Sequence, residues 1–215
     1  MAAGPLFPQG GELPRLICPR RLLAPMSANP AAPFWSSLTP ITLRENQTGR
    51  SPDQATEIRL AADSDEFRIL FHALDRDPSA TITQRDGPLW KEEVVELFLD
   101  PHGDGDAYFE IELNPLGTVL DLVIRRVRNG FRKDLRWNCH DLRTLTSRTA
   151  TGWAAEFAVP FRSVAAGAPG HGACWRANFL RIDRPPGKER ELSAWSPTFC
   201  GTFHVPARFG VVNFE

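Results

Sequence analysis

Short runs in which apolar and polar residues alternate one for one, each closed by a turn signal, recur along the chain from residue 55 to the C-terminus. Such alternation puts successive side chains on opposite faces of an extended strand, so each run reads as a half-buried strand. Over 55–62, Thr56, Ile58, Leu60 and Ala62 alternate with Glu57, Arg59 and Ala61. Over 66–74, Phe67, Ile69, Phe71 and Ala73 alternate with Arg68, Leu70 and His72. Asp63-Ser64-Asp65 lies between them and supplies turn-forming side chains, which predicts a hairpin. The same pattern predicts strands over 92–100, 107–114, 118–127, 152–160, 174–183 and 209–214, with Pro115-Leu116-Gly117 as a turn and one helical turn over 161–166. No segment sustains a helical period. Eight or more short strands with regular turns imply an all-β fold, an antiparallel β-sandwich of jelly-roll or immunoglobulin-like type.

Residues 1–33 differ. Seven prolines and no periodic apolar pattern make them an irregular N-terminal arm, with the sandwich domain over 34–215. With 42% apolar and 24% charged residues the chain can bury a sizeable core. A net charge of -1 lacks the basic excess that nucleic acid or a membrane surface demands. No apolar run approaches the roughly 20 residues of a membrane span, and prolines and arginines interrupt any leader-like stretch, so a cytoplasmic location is expected. Cys18, Cys139, Cys174 and Cys200 are too scattered for a zinc or redox motif and read as buried free thiols.

The strand phases carry a functional hint. Glu96, Glu110, Glu112 and Asn114 share the phase opposite to Val95, Leu97, Leu99, Phe109, Ile111 and Leu113. Asp121, Glu156, Arg176 and Asn178 are expected on outward positions as well. This polar surface is either a solvated strand face or a sugar-reading sheet, because sugar hydroxyls both donate and accept and are oriented by carboxylates, amides and guanidinium groups. A sugar ring also needs a flat apolar platform, and indole offers the largest. Trp153 and Trp175 fall on the core phase of their strands; Trp90 and Trp195 fall in polar loops.

The chain resembles the family 9 carbohydrate-binding modules, within the wider DOMON-like group. The resemblance rests on an ordered set: Asp86 to Pro101 (DGPLWKEEVVELFLDP), Tyr108 to Gly117 (YFEIELNPLG), Gly152 to Phe161 (GWAAEFAVPF), Trp175 to Arg181 (WRANFLR), Ser193 to Pro197 (SAWSP) and Phe209-Gly210. It implies a non-catalytic β-sandwich that holds the end of an oligosaccharide or polysaccharide, associated with glycan breakdown. Carried over, Trp90 and Trp195 would stack on the two faces of a sugar ring and Glu96 would bond its hydroxyls, joined by Asn114, Asn178 and Arg181. The sugar-binding members use more basic and amide contacts near the ring, where this chain has Glu110 and Glu112. The resemblance requires no cofactor beyond structural calcium, for which Asp100, Asp104 and Asp106 in the glycine-rich turn after 92–100 are the candidates; the same Asp and Gly residues also suit a plain hairpin turn.

Three other readings remain open at this level. A glycoside hydrolase could pair Glu96 with Glu110 or Glu112, since hydrolysis needs two carboxylates about 5–10 Å apart. A DOMON-like haem domain is disfavoured because Met1 and Met26, the only methionines, both lie in the arm, although His72, His102, His140, His171 and His204 leave bis-histidine ligation formally open. A ligand-free interaction module is compatible with the acidic face.

Overall fold

The structure, a computed structural model, describes residues 11–215. The strands are β1 (Arg15–Cys18), β2 (Ile41–Thr42), β3 (Arg44–Glu45), β4 (Thr56–Ala62), β5 (Glu66–Leu74), β6 (Val94–Asp100), β7 (Ala107–Leu113), β8 (Val119–Val127), β9 (Gly130–Asp134), β10 (Arg143–Thr149), β11 (Gly152–Pro160), β12 (Cys174–Asp183), β13 (Glu191–Ala194) and β14 (Gly210–Phe214). Two sheets form. The larger runs β1-β14-β12-β6-β7-β8-β9, with β13 on β12 and β3 on β13; the smaller runs β10-β11-β5-β4-β2. Every pairing is antiparallel except that of β1 with β14. The long strand β12 serves as a hinge of the larger sheet, because its first half pairs with β14 and its second half with β13.

The two sheets pack face to face over alternate residues, as the period-two pattern requires. Ile58, Phe67, Ile69, Phe71, Trp153 and Phe157 of the smaller sheet meet Val95, Leu97, Ile111, Trp175, Phe179 and Phe214 of the larger. Trp153 and Trp175 thus lie in the core, on their expected phase. Cys18 and Cys139 are buried thiols, whereas Cys174 is exposed on an edge and Cys200 is half-buried. Among the described residues no helix is long and apolar enough to cross a membrane.

Both outer faces are covered too. On the smaller sheet the cover is the arm, whose described part follows a mostly irregular path but carries short regular elements. β1 adds a strand to the larger sheet, Arg20 bridges to Ala62, and helix α1 (Pro33–Ser36) sets Trp35 on Ala61, Leu70 and Ala154. The first ten residues of the expected arm lie outside the described residues. On the larger sheet the cover consists of the segments preceding β6 and β14. These build a second apolar layer of Leu89, Val94, Phe98, Tyr108, Leu122, Leu180, Phe203 and Phe209.

Double coverage reverses one expectation. Leu120, Leu122 and Ile124 of β8 do not face the inter-sheet core; they share the outer face with Glu110 and Glu112, because Glu110 pairs with Leu122 and Glu112 with Leu120. Asp121, expected outward, points inward opposite Ile111. There it accepts from Arg85 Nη2 at 2.6 Å and from the Cys139 N–H at 2.8 Å. A strand buried on both faces gives alternation no solvent side to report, so register alone decides which way each residue points.

Candidate functional site

The site lies on the outer face of the larger sheet, where the second apolar layer is incomplete. Glu96 of β6 stands directly opposite Glu112 of β7, and Glu110 lies two residues before Glu112 on the same face. One carboxylate oxygen from each lies within 4.8 Å of the other two. All three side chains are buried, at no more than 3% exposure. Like charges placed directly across a strand pair repel, and burial denies them water. Glu96 is pushed well above the ordinary carboxylate range, first by burial and then by Glu110. Glu112 is pushed up by burial and then by Glu96 and Glu110. No N–H or hydroxyl donor among the described residues reaches either carboxylate oxygen of Glu112, whose polar neighbour is the Glu110 carboxyl.

Cations approach only from the rim. Lys133 of β9 places Nζ 3.3 and 3.4 Å from the two carboxylate oxygens of Glu110. The same ammonium sits 5.6 Å from the centre of the Trp90 ring. Trp90 projects from a 3-10 turn over Leu89–Lys91. Leu89 is fully buried while Trp90 is 39% exposed, so the turn anchors on one side chain and presents the other. Gly87 makes the turn possible: a Cβ there would lie 2.8 Å from Ile82 Cγ2 and 2.9 Å from the Gln84 carbonyl oxygen. His204 completes the wall. Its ring stacks on Phe98, with centroids 5.1 Å apart, and its Nδ1 shares a 2.9 Å hydrogen bond with the Tyr108 hydroxyl. Burial lowers its proton affinity, which favours the neutral imidazole.

These groups enclose a cavity of about 250 Å³, lined by Trp90, Glu96, Glu110, Glu112, Lys133, Arg190 and His204, with Ile182, Leu192 and Phe203 as apolar walls. A larger cleft of about 650 Å³ opens beside Asp53, Asp75, Asp183, Lys188 and Glu191. Its buried carboxylates Asp75 and Asp183 already flank Arg181 Nη2 at 2.9 and 3.2 Å, and Glu191 accepts from the Asp53 N–H at 3.0 Å. It also lacks an aromatic platform. The smaller cavity is therefore the candidate site.

Of the residues singled out from the sequence, Trp90 and Glu96 line this cavity. Trp195 does not. It is buried in the inter-sheet core, stacked on Phe179 with centroids 5.4 Å apart, in space that Gly210 leaves open: a Cβ on Gly210 would come within 2.5 Å of the Trp195 ring. Asn114 holds a turn, accepting from the N–H groups of Leu116 and Thr118 and donating to the Ile82 carbonyl. Asn178 pins the segment after β13, donating to the Ser196 carbonyl and accepting from the Ser196 N–H. Arg181 points inward to Asp75, to the Leu74 carbonyl and to Thr56. Glu156 is on the outer face of the other sheet.

The glycine-rich turn uses its carboxylates internally. Asp100 accepts from the N–H groups of Gly103 and Gly105 at 2.7 and 2.9 Å. Asp104 accepts from the Asp106 N–H, and Asp106 accepts from Arg126 Nε, both at 2.8 Å. Among the described residues, three carboxylates converge only at Asp75-Glu93-Asp183 and at Glu96-Glu110-Glu112. The turn is a hydrogen-bonded hairpin connection, and Asp100, Asp104 and Asp106 do not converge on a common point.

Lys133 and Arg190 carried no sequence signal, and His204 stood out only as one of five histidines, because they come from an edge strand and from loops. Glu110 and Glu112 did carry one, since they share the phase of Glu96.

The family model for carbohydrate-binding family 9 matches residues 43–214. The chain belongs to carbohydrate-binding family 9. A carbohydrate-binding protein from Bacteroides uniformis shares 19% identity and a TM-score of 0.71, with 94% of this chain and 99% of that one covered. A family 9 module from Caldicellulosiruptor kristjanssonii in complex with cellotriose shares 13% identity, covers 94% of each chain and superposes at a TM-score of 0.71. The module from the same organism with glucose bound shares 12% identity at a TM-score of 0.70, covering 94% of this chain and 96% of that one. At these identities the likeness establishes the shared sandwich. No curated protein matches the chain at a comparable level.

Proposed function

We propose that this family 9 protein binds the terminal ring of an oligosaccharide or polysaccharide, without chemistry, in the cavity under Trp90. The observation that carries the reading is one half-exposed indole standing over a pocket whose floor is polar and buried. The indole covers the C–H face of a ring, and the carboxylates of Glu96, Glu110 and Glu112, with Lys133, Arg190 and His204, meet its hydroxyls. A cavity of about 250 Å³ is below the range of drug-sized sites and suits one sugar ring, hence a chain end. Trp90 is the single platform, since Trp195 is committed to the core.

Binding is favoured over hydrolysis by the placement of the carboxylates. Glycosidic cleavage needs an acid and a second carboxylate flanking one bond. Here all three rise side by side from two neighbouring strands on one wall. The test is calorimetry with glucose, cello-oligosaccharides and xylo-oligosaccharides on the wild type and Trp90→Ala. Binding that Trp90→Ala weakens by about tenfold or more supports the site. Sugar binding indifferent to Trp90→Ala, or turnover of the oligosaccharides, overturns it.

A further inference from the structure

The three glutamates pose a charge problem that a neutral sugar does not solve. Their carboxylates converge within 4.8 Å, shielded from water, and Glu112 is fully buried with both oxygens unpartnered. Lys133 engages only Glu110 and does so from the rim, with 40% of its side chain exposed. A buried carboxylate without a partner costs several kcal/mol, unless it is protonated or joined by a cation. Burial and mutual repulsion raise the proton affinity of Glu96 and Glu112, as expected of an acidic cluster short of positive charge.

We propose that the cavity selects sugars bearing a protonated amine, with the ammonium seated among Glu96, Glu110 and Glu112. This rests on the carbohydrate reading above and names the class of sugar. An ammonium group has three N–H donors and no acceptor, which matches three converging carboxylates one for one. Charge-assisted bonds of this kind are about twice as strong as neutral ones. A ring lying on Trp90 at the mouth brings a ring substituent down to the carboxylates at the closed end. A bare divalent cation fits less well. It would leave the ring-sized space and the indole unused.

The test is calorimetry of the whole protein with glucosamine, N-acetylglucosamine, glucose and calcium chloride, on the wild type, Glu112→Gln and Glu110→Gln, with thermal melts to confirm folding. N-acetylglucosamine keeps the ring and removes the charge. The expected result is glucosamine binding at least about tenfold tighter than glucose and N-acetylglucosamine, with Glu112→Gln shrinking that preference several-fold. Glu110→Gln, which also frees Lys133, shrinks it too. If glucose and glucosamine bind equally, the amine selectivity is overturned and the carbohydrate site stands. If no sugar binds, both fall. If calcium binds in a Glu112-dependent manner and glucosamine does not, the cluster is a metal site and the inference is overturned.

Discussion

Glu156 and Glu112 are equally buried, at 0% exposure, each on the outer face of one of the two sheets. Their surroundings are opposite. Glu156 accepts from Arg68 Nη1 at 2.9 Å and from the N–H groups of Ser27 and Ala28 at 2.9 and 2.7 Å. Glu112 accepts from nothing in the protein. The first carboxylate fastens the arm and belongs to the fold; the second faces the cavity proposed above as the sugar site. Burial alone therefore does not distinguish a structural acid from a functional one. The partner count does, because a satisfied carboxylate has nothing left to offer a ligand.

The largest effect should come from cutting the satisfied carboxylate. Glu156→Ala leaves Arg68 short of a buried partner and unties the arm, and should cost about 3–5 kcal/mol of stability in urea unfolding. Loss of less than about 1 kcal/mol would mean that the arm is held by its strand and apolar contacts alone. Trp195→Ala should cost a similar amount, about 3–5 kcal/mol, by opening a cavity over Phe179. A mild loss there would return Trp195 to the candidate ligand platforms.

Next comes the opposite sign. Glu112→Gln replaces an acid that is costly to ionise in place with a neutral amide, and should leave stability unchanged or raise it by up to about 2 kcal/mol at neutral pH. If it destabilises as Glu156→Ala does, Glu112 has a structural role and the contrast between the two faces collapses.

The same difference sets a pH dependence. Glu96, Glu112 and Glu93 all bind protons more tightly in the folded state than at the ordinary value of 4.5, and Glu93 is raised to about 8, chiefly by burial. Above that ordinary value the folded protein holds more protons than the unfolded chain, so stability contributed by these groups falls as pH rises. For Glu93 the loss runs from about 4.5 to about 8. Denaturation midpoints should thus decline between these limits, and Glu112→Gln should flatten the decline. A midpoint that rises steadily over this window would show that the cluster is ionised and compensated. The smallest effect is on Trp90→Ala, which should change stability by no more than about 0.5 kcal/mol, since its ring stands half-exposed at the cavity while Leu89 anchors the turn. A larger loss would make the indole part of the second apolar layer.

Legibility in the sequence followed the physics of each element. β5, β11 and β12 were predicted to the residue, because their alternation is set by one face packing on the core. β9, β10 and β13 were not predicted. β9 and β10 are edge strands rich in charged and small polar residues, which carry no apolar period, and β13 is four residues long. The common phase of Glu96, Glu110 and Glu112 was readable from spacing. Their burial was not, because the cover comes from loops distant in sequence.

Trp90 and Trp195 mark the same limit. Both sit in turn-rich segments, yet one stands at a cavity and the other fills the core beside Gly210. Alternation within a strand is local, so the sequence by itself determined the sandwich class, most strands and the residues sharing each face. Tertiary structure alone decided which faces are covered and by what. That choice depends on long-range register and on the closing arm and loops, and it determines which buried carboxylate finds a donor and which does not.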